Sequence, residues 1–254
     1  MIGIYFSGTG NTEFCINKFM ALVDSSAPIV SIENENVISE MQKHEHIIFA
    51  YPIYYSDLPK IVYDFIMKNC SAFYQKKIYI ICTMGLFSGD GAGCSARLFK
   101  KYGADIIGGL HLKMPDCICD VKALKRPFER NREIVSKAED KISLAAKRFL
   151  EGHPTKEGSN VLYHIAGLFG QRLWFYHKTW RSTNMLKIDH SRCINCNACI
   201  NACPVKNLNL RNNSVITNGN CTMCYRCANA CPRQAITILG KNVICQGHIG
   251  DYIQ

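Results

Sequence analysis

The sequence has no apolar run approaching the roughly 20 residues that a membrane-spanning helix needs, which excludes a helical span. No basic leader precedes the first apolar run, Met1-Ile2-Gly3-Ile4-Tyr5-Phe6-Ser7. That run therefore reads as a first strand and not as a signal peptide, and a cytoplasmic protein is expected. No nucleophile triad and no pair of catalytic carboxylates stands out, so nothing points to hydrolytic chemistry. The eight histidines are scattered without ligand spacing; His44 and His46, flanking Glu45, read as surface. Acidic residues are scarce, 20 against 30 Lys and Arg, for a formal net charge of +10. Such an excess can mark a nucleic-acid binder. The cluster formed by Arg126, Arg130 and Arg132, however, reads as a solvated helix face.

Cysteine, in contrast, is abundant, with fifteen in the chain. An odd total suits a paired disulfide framework poorly, and eight of the fifteen fall in two tight arrays, which suits metal ligation in a reducing compartment. Cys193-x-x-Cys196-x-x-Cys199-x-x-x-Cys203-Pro204 recurs 28 residues later as Cys221-x-x-Cys224-x-x-Cys227-x-x-x-Cys231-Pro232. Three cysteines spaced by two residues can wrap three corners of an iron–sulfur cubane, and the fourth of each run reaches the other cluster. The spacing therefore predicts one 4Fe–4S cluster on Cys193, Cys196, Cys199 and Cys231, and a second on Cys221, Cys224, Cys227 and Cys203. Zinc is the rival reading, but it takes ligand pairs and not triplets with a borrowed fourth. Two oxidised clusters, each about −2 with its thiolates, offset much of the cationic excess, and no nucleic-acid partner is expected. Cys15, Cys70, Cys82, Cys94 and Cys245 read as small apolar packing residues. Clusters of this kind suit an anaerobic host.

The first 150 or so residues alternate between strand-like and helix-like segments. Residues 1–6, 28–32, 47–51, 77–83 and 104–112 read as strands, and the isoleucine run around Tyr79 suits a buried parallel strand. Residues 11–23, 58–67, 91–102 and 130–150 carry helical spacing. This alternation argues for an α/β architecture, a parallel sheet covered on both faces. Residues 151–160 read as a turn-rich linker. Residues 161–181 hold both tryptophans and read as an aromatic helix packed between two parts of the chain, with a membrane-surface helix and a partner-docking surface as rivals. The expected division is residues 1–150, a linker with its aromatic helix over 151–184, and a cysteine-rich part over 185–254.

Ser7-Gly8-Thr9-Gly10-Asn11-Thr12 follows the first strand and opens the first helix. Small residues at that place let backbone N–H groups and the positive end of the helix dipole surround a phosphate. Neither the G-x-G-x-x-G spacing nor the G-K-[ST] of a P-loop is present, and a plain turn with a helix cap is the rival reading. Two further loops follow strands three and four: Tyr51-Pro52-Ile53-Tyr54-Tyr55-Ser56, and Thr83-Met84-Gly85-Leu86-Phe87-Ser88-Gly89-Asp90-Gly91. Both lie at carboxyl ends of strands, where open α/β sheets bind ligands.

The amino-terminal loop looks like the FMN phosphate loop of flavodoxins, and the cysteine arrays resemble bacterial two-cluster ferredoxins. Together with Met114-Pro115-Asp116 after the fifth strand and the aromatic linker, the chain resembles the flavodoxin–ferredoxin fusion proteins called the EFR1 family. The resemblance implies a flavodoxin-like five-stranded parallel sheet of order 2-1-3-4-5, followed by a C-terminal α+β two-cluster ferredoxin domain. It implies FMN as a cofactor beside the two 4Fe–4S clusters. Residues Ser7 to Thr12 would hold its phosphate. Pro52, Ile53, Tyr54, Tyr55, Thr83, Met84, Gly85, Phe87, Gly89, Asp90 and Gly91 would surround its ring; Tyr54 or Tyr55 would stack on it, with a core packing role for one of the two as the rival reading. One departure is Cys117-Ile118-Cys119, which stands where an asparagine-containing segment is expected; the two are read as free thiols, with a dithiol as the rival. The expected function is electron transfer between the clusters and FMN and on to a redox partner protein or small acceptor. The alternatives are an FMN-dependent reductase of a small substrate, and a redox sensor.

Overall fold

The computed structural model describes residues 1–86, 91–158 and 178–253. Five strands, β1 (Ile2–Tyr5), β2 (Ile29–Ser31), β3 (His46–Pro52), β4 (Lys77–Met84) and β5 (Asp105–Lys113), form one sheet in the order β2-β1-β3-β4-β5. Every neighbouring pair is parallel. The middle strands β3 and β4 are buried over nearly their whole length, as continuous apolar runs require in a sheet covered on both sides.

One face carries α1 (Asn11–Val23) and α5 (Phe128–Leu150), whose Ile16, Phe19, Val135, Ala138 and Ile142 pack on Ile48, Tyr79 and Leu110. Phe19 stacks on Tyr79 with ring centroids 5.3 Å apart. The other face carries α2 (Val37–Gln42), α3 (Lys60–Lys68) and α4 (Gly91–Lys101), packed around Phe49, Phe73 and Phe99. The six-residue α2 and a 3₁₀ turn at Cys70–Phe73 have no counterpart in the sequence reading, because segments that short show no periodicity.

Residues 151–158 are more than a linker. Gly109 donates its N–H to the Thr155 carbonyl at 2.7 Å and accepts one from Glu157 at 2.9 Å, so this segment runs along the outer edge of β5. Glu157 Oε2 also accepts from the His111 backbone at 2.9 Å and from Lys141 Nζ at 2.8 Å. A Cβ on Gly109 would stand 2.6 Å from the Glu157 carbonyl oxygen, which is why the edge carries glycine there.

Of the expected aromatic helix, residues 161–177 lie outside the described residues. The short α6 (Lys178–Arg181) follows, and its Trp180 meets Tyr63 of α3 edge-on at 4.8 Å, with Lys60 Nζ 5.6 Å from the Trp180 ring.

The cysteine-rich part contains β6 (Lys187–Ile188) paired antiparallel to β9 (Ile236–Thr237), and a hairpin of β7 (Leu208–Arg211) and β8 (Ser214–Thr217). The short helices α7 (Ala198–Ala202) and α8 (Arg226–Ala230) lie between them. The hairpin turns on Asn212 and Asn213, both at positive φ, as a tight two-residue hairpin favours. The repeat persists in the backbone: positive φ occurs at Asn195 and Met223, Asn197 and Tyr225, and Lys206 and Gln234. Each of these pairs is separated by the spacing that relates the cysteines. No helix among the described residues is long and apolar enough to cross a membrane.

Candidate functional site

The carboxyl ends of β1, β3, β4 and β5 converge on a cavity of about 300 Å³. It brings together Ser7, Gly8, Thr9, Asn11 and Thr12 from the first loop, Pro52, Ile53, Tyr54 and Tyr55 from the second, and Thr83, Met84 and Gly85 from the third. Thr12 and Thr83 hydroxyls, 2.8 Å apart, tie the first loop to the third. Asn11 Nδ2 donates to the Pro115 carbonyl at 2.7 Å, which holds the Met114–Asp116 turn against the same cavity.

Two expected residues stand elsewhere. Gly10 is the left-handed N-cap of α1, at φ 91°, and a side chain there would strike Ile249. Gly91 opens α4, packs against Ile53 and accepts the Tyr51 hydroxyl at 2.6 Å. Both shape the loops without lining the cavity. Phe87, Gly89 and Asp90 lie outside the described residues.

The cavity's polar groups fit FMN. The Ser7 hydroxyl is buried without a hydrogen-bond partner, and so is the Tyr54 hydroxyl. Buried polar groups left unpaired cost about 1–3 kcal/mol each, and a bound phosphate or flavin would satisfy both. The N-terminus of α1 supplies free N–H groups beside them. Next to Gly85, Asp116 is held above its usual carboxylate range by burial, partly opposed by the Ile118 N–H that it accepts at 2.9 Å. Arg126 Nη2 donates to the Gly85 carbonyl at 3.2 Å. Arg126, grouped at first with a solvated helix face, thus buttresses the third loop.

The eight cysteines of the two arrays fall into two groups. Cys193, Cys196, Cys199 and Cys231 line one small cavity together. Burial raises Cys199, and the Cys231 and Cys193 thiols raise it further. Cys203 lies near the second triplet: it adds to the upward shifts of Cys221, Cys224 and Cys227, each due first to burial. Thiols so crowded resist ionising together unless a metal centre takes them as thiolates. Backbone N–H groups point at the sulfurs in matched places, Asn207 to Cys203 at 3.2 Å and Ala235 to Cys231 at 3.3 Å, as cluster sulfurs require.

Nothing in the residue pattern signals how the two sites meet. Met223 and Tyr225, inside the second cysteine triplet, are part of the cavity wall. A Cβ on Gly8 would stand 2.6 Å from the Cys224 carbonyl oxygen, so the ligand loop presses directly on the phosphate loop. Arg226 fastens this junction, donating to the Ser7 carbonyl and to Glu33 Oε1, each at 2.6 Å, and to Glu33 Oε2 at 2.8 Å. Asp120, buried, accepts from the Tyr225 hydroxyl at 2.9 Å and from the Ile238 N–H at 2.7 Å. From the other side, Ile249 donates its N–H to the Thr9 carbonyl at 3.2 Å.

Cys117 and Cys119 are both free thiols with different surroundings. Cys117 lines the cavity, while Cys119 is buried in the core of the cysteine-rich part. Burial drives Cys117 well above the usual thiol range, with Asp116 adding to the shift. Among the cysteines expected to be packing residues, Cys15 and Cys82 are buried, whereas Cys245 is exposed.

Comparisons with known proteins bear on both parts. A family model of the flavodoxin domain matches residues 2–103, and a model of the 4Fe-4S dicluster domain matches residues 185–236. No curated protein matches the chain. Similar solved structures include the two-electron reduced flavodoxin of Megasphaera elsdenii, with 22% identity over 58% of this chain and 99% of that one, at a TM-score of 0.41. A Fusobacterium nucleatum flavodoxin bound to flavin mononucleotide has 14% identity over 60% of this chain and 98% of its own, at 0.42. Oxidised Flavodoxin 2 from Bacillus cereus has 17% identity over 59% and 97%, at 0.44. The chain thus joins a flavodoxin domain, which indicates FMN, to a 4Fe–4S dicluster domain, an arrangement consistent with a flavodoxin–ferredoxin fusion that serves electron transfer.

Proposed function

We propose that this chain is a fusion protein of the EFR1 type that passes electrons between two 4Fe–4S clusters and FMN within one molecule, and on to a redox partner. The observation that carries this reading is the shared wall: Met223 and Tyr225, between ligand cysteines, are also flavin-cavity residues. When bound, the clusters supply one-electron steps and FMN a store of one or two electrons.

The protein's own residues position and shield these groups. Cys193, Cys196, Cys199 and Cys231 would hold the first cluster, and Cys221, Cys224, Cys227 and Cys203 the second. Ser7, Gly8, Thr9, Asn11 and Thr12 would bind the phosphate, and Tyr54, Tyr55 and Gly85 would border the ring. Arg226 and Asp120 clamp the second triplet against the cavity, and buried Met223 and Tyr225 keep water out of the gap. Thiolate ligands of this kind persist in a reducing compartment, which fits a cytoplasmic location.

A second reading, reduction of a small substrate, draws on a neighbouring cavity of about 480 Å³ that shares Asp116 and Leu124 with the flavin cavity. Anaerobic reconstitution tests the first reading: about eight irons and one FMN per chain are expected. After mixing with dithionite, the cluster and flavin absorbances should relax together. Uptake of iron without flavin, or a flavin that stays oxidised beside reduced clusters, would overturn it.

A further inference from the structure

The two cysteine triplets differ in what surrounds them. Cys221, Cys224 and Cys227 are all buried, whereas Cys196 is exposed, Cys193 is half-buried, and Ile194 between them is 58% exposed. An exposed isoleucine beside a ligand cysteine is the apolar centre of a small surface patch. Its surroundings are cationic. Arg233 borders the same small cavity as the four cysteines of the first set. Arg192 precedes Cys193 in the chain, and Asn195 Nδ2 donates to the Asn213 carbonyl at 2.8 Å, which brings the β7–β8 turn, with Arg211, to the same rim. Lys187, on β6 beside β9, is exposed, as are Arg192, Arg211 and Arg233. Among the described residues none of these four cations forms an ion pair. The acidic residue of this face, Asp189, turns its carboxylate onto the Ser191 N–H at 3.0 Å and the Ser191 hydroxyl at 2.6 Å, and Arg192 beside it also helps hold that carboxyl below its usual range.

An apolar centre bordered by exposed cations is a docking face for a surface of opposite charge, one that speeds encounter more than it tightens the complex. We propose that an acidic one-electron carrier protein docks over Ile194 and Cys196, making the first cysteine set the point where electrons cross between this chain and its partner. One electron leaves the carrier and is taken up at that set; no bond forms or breaks and no proton moves. The proposal rests on the electron-transfer reading above and adds to it the port and the partner's charge. Transient redox complexes bury little surface, so a patch of this size is sufficient.

The test uses the full chain, reconstituted with iron and FMN, and a plant-type 2Fe–2S ferredoxin as the acidic probe. Binding is measured by calorimetry and electron transfer by stopped flow, each at low and at raised salt. Saturable binding is expected, weakening about tenfold between 50 and 200 mM salt, with basic cytochrome c failing to bind. Arg192→Glu/Arg233→Glu should weaken ferredoxin binding about tenfold or more at low salt. Because those two residues neighbour ligand cysteines, Lys187→Glu/Arg211→Glu is the second variant and should act in the same direction with iron and flavin content unchanged. Lys147→Glu on the exposed side of α5 should change nothing. Binding that none of the charge reversals weakens, or cytochrome c binding as well as the ferredoxin, overturns the proposal. The parent reading fails separately: there the carrier would still bind and reduce the clusters while FMN stayed oxidised.

Discussion

The two halves of the cysteine repeat share a backbone and serve different neighbours. Asn195 and Met223 take the same left-handed conformation, as do Asn197 and Tyr225. In the first half these positions carry asparagines near solvent; in the second they carry a methionine and a tyrosine that wall the flavin cavity. A left-handed backbone favours Gly and Asn, so the first half follows local preference. The second half gives up that preference to place two large buried side chains where the two sites touch. The comparison teaches that duplication preserved the backbone of the two cysteine loops, while the residues between the cysteines decided which loop faces the cavity.

Removing one ligand from each half should separate them most strongly. Cys196→Ser and Cys224→Ser are each expected to lose about four irons. Cys224→Ser should also weaken FMN binding at least tenfold, since its loop bears on Gly8, whereas Cys196→Ser should leave it within about twofold; flavin fluorescence titration and iron analysis read both. Equal flavin loss in the two variants breaks the comparison.

The next largest effect comes from Gly8→Ala, which sets a methyl group against the Cys224 carbonyl. Overpacking at such a contact costs about 1–3 kcal/mol, visible in thermal unfolding. Gly250→Ala, with nothing within 4 Å of the added carbon, is the control and should be neutral.

A smaller loss is expected at the clamp. Arg226 and Glu33 are 23% and 29% exposed, and Glu33→Gln should cost about 0.5–1.5 kcal/mol. The exposed pair Lys18–Glu139 should cost about 0–1 kcal/mol when broken in the same way. A double-mutant cycle on each pair sharpens the contrast.

The smallest effect concerns Asp116. Burial raises its carboxyl above the unfolded value, so its contribution to stability is full below about pH 4 and is lost as pH rises through the folded value. Asp116→Asn should therefore gain stability relative to the parent protein between about pH 4 and pH 7. Melting curves across that range check it, and parallel curves for the two proteins would remove Asp116 from the account.

Much of this was legible in the sequence, for identifiable reasons. The helix Asn11–Val23 matches its expected bounds because Gly10 and the apolar spacing mark both its start and its face. The isoleucine run of β4 suited a strand buried on both sides, as it is. The placing of Cys231 beside the first triplet follows a spacing in which a C-x-x-C-x-x-C triplet leaves one corner of a cubane unreached. What escaped was everything set by distant partners. Residues 151–158 have turn composition, and nothing local says that Thr155 and Glu157 will pair with Gly109. Met223 and Tyr225 look like spacers within a cysteine motif, and become cavity residues only because Arg226 finds Glu33. Arg126 looked like surface charge because its acceptor, the Gly85 carbonyl, belongs to a loop on another strand.

The closure of the phosphate loop also bears on how the molecule is assembled. Ser7 and Arg226, which meet there, are 219 residues apart in the chain, and the Ile249 contact with Thr9 is longer still. Contacts of that span form late and slow folding. While the chain is being synthesised, the first loop is made early and must remain open until the cysteine-rich part has emerged and folded. A cavity opened by the first residues of the chain is thus closed by some of the last, and it is complete only once the whole chain has folded.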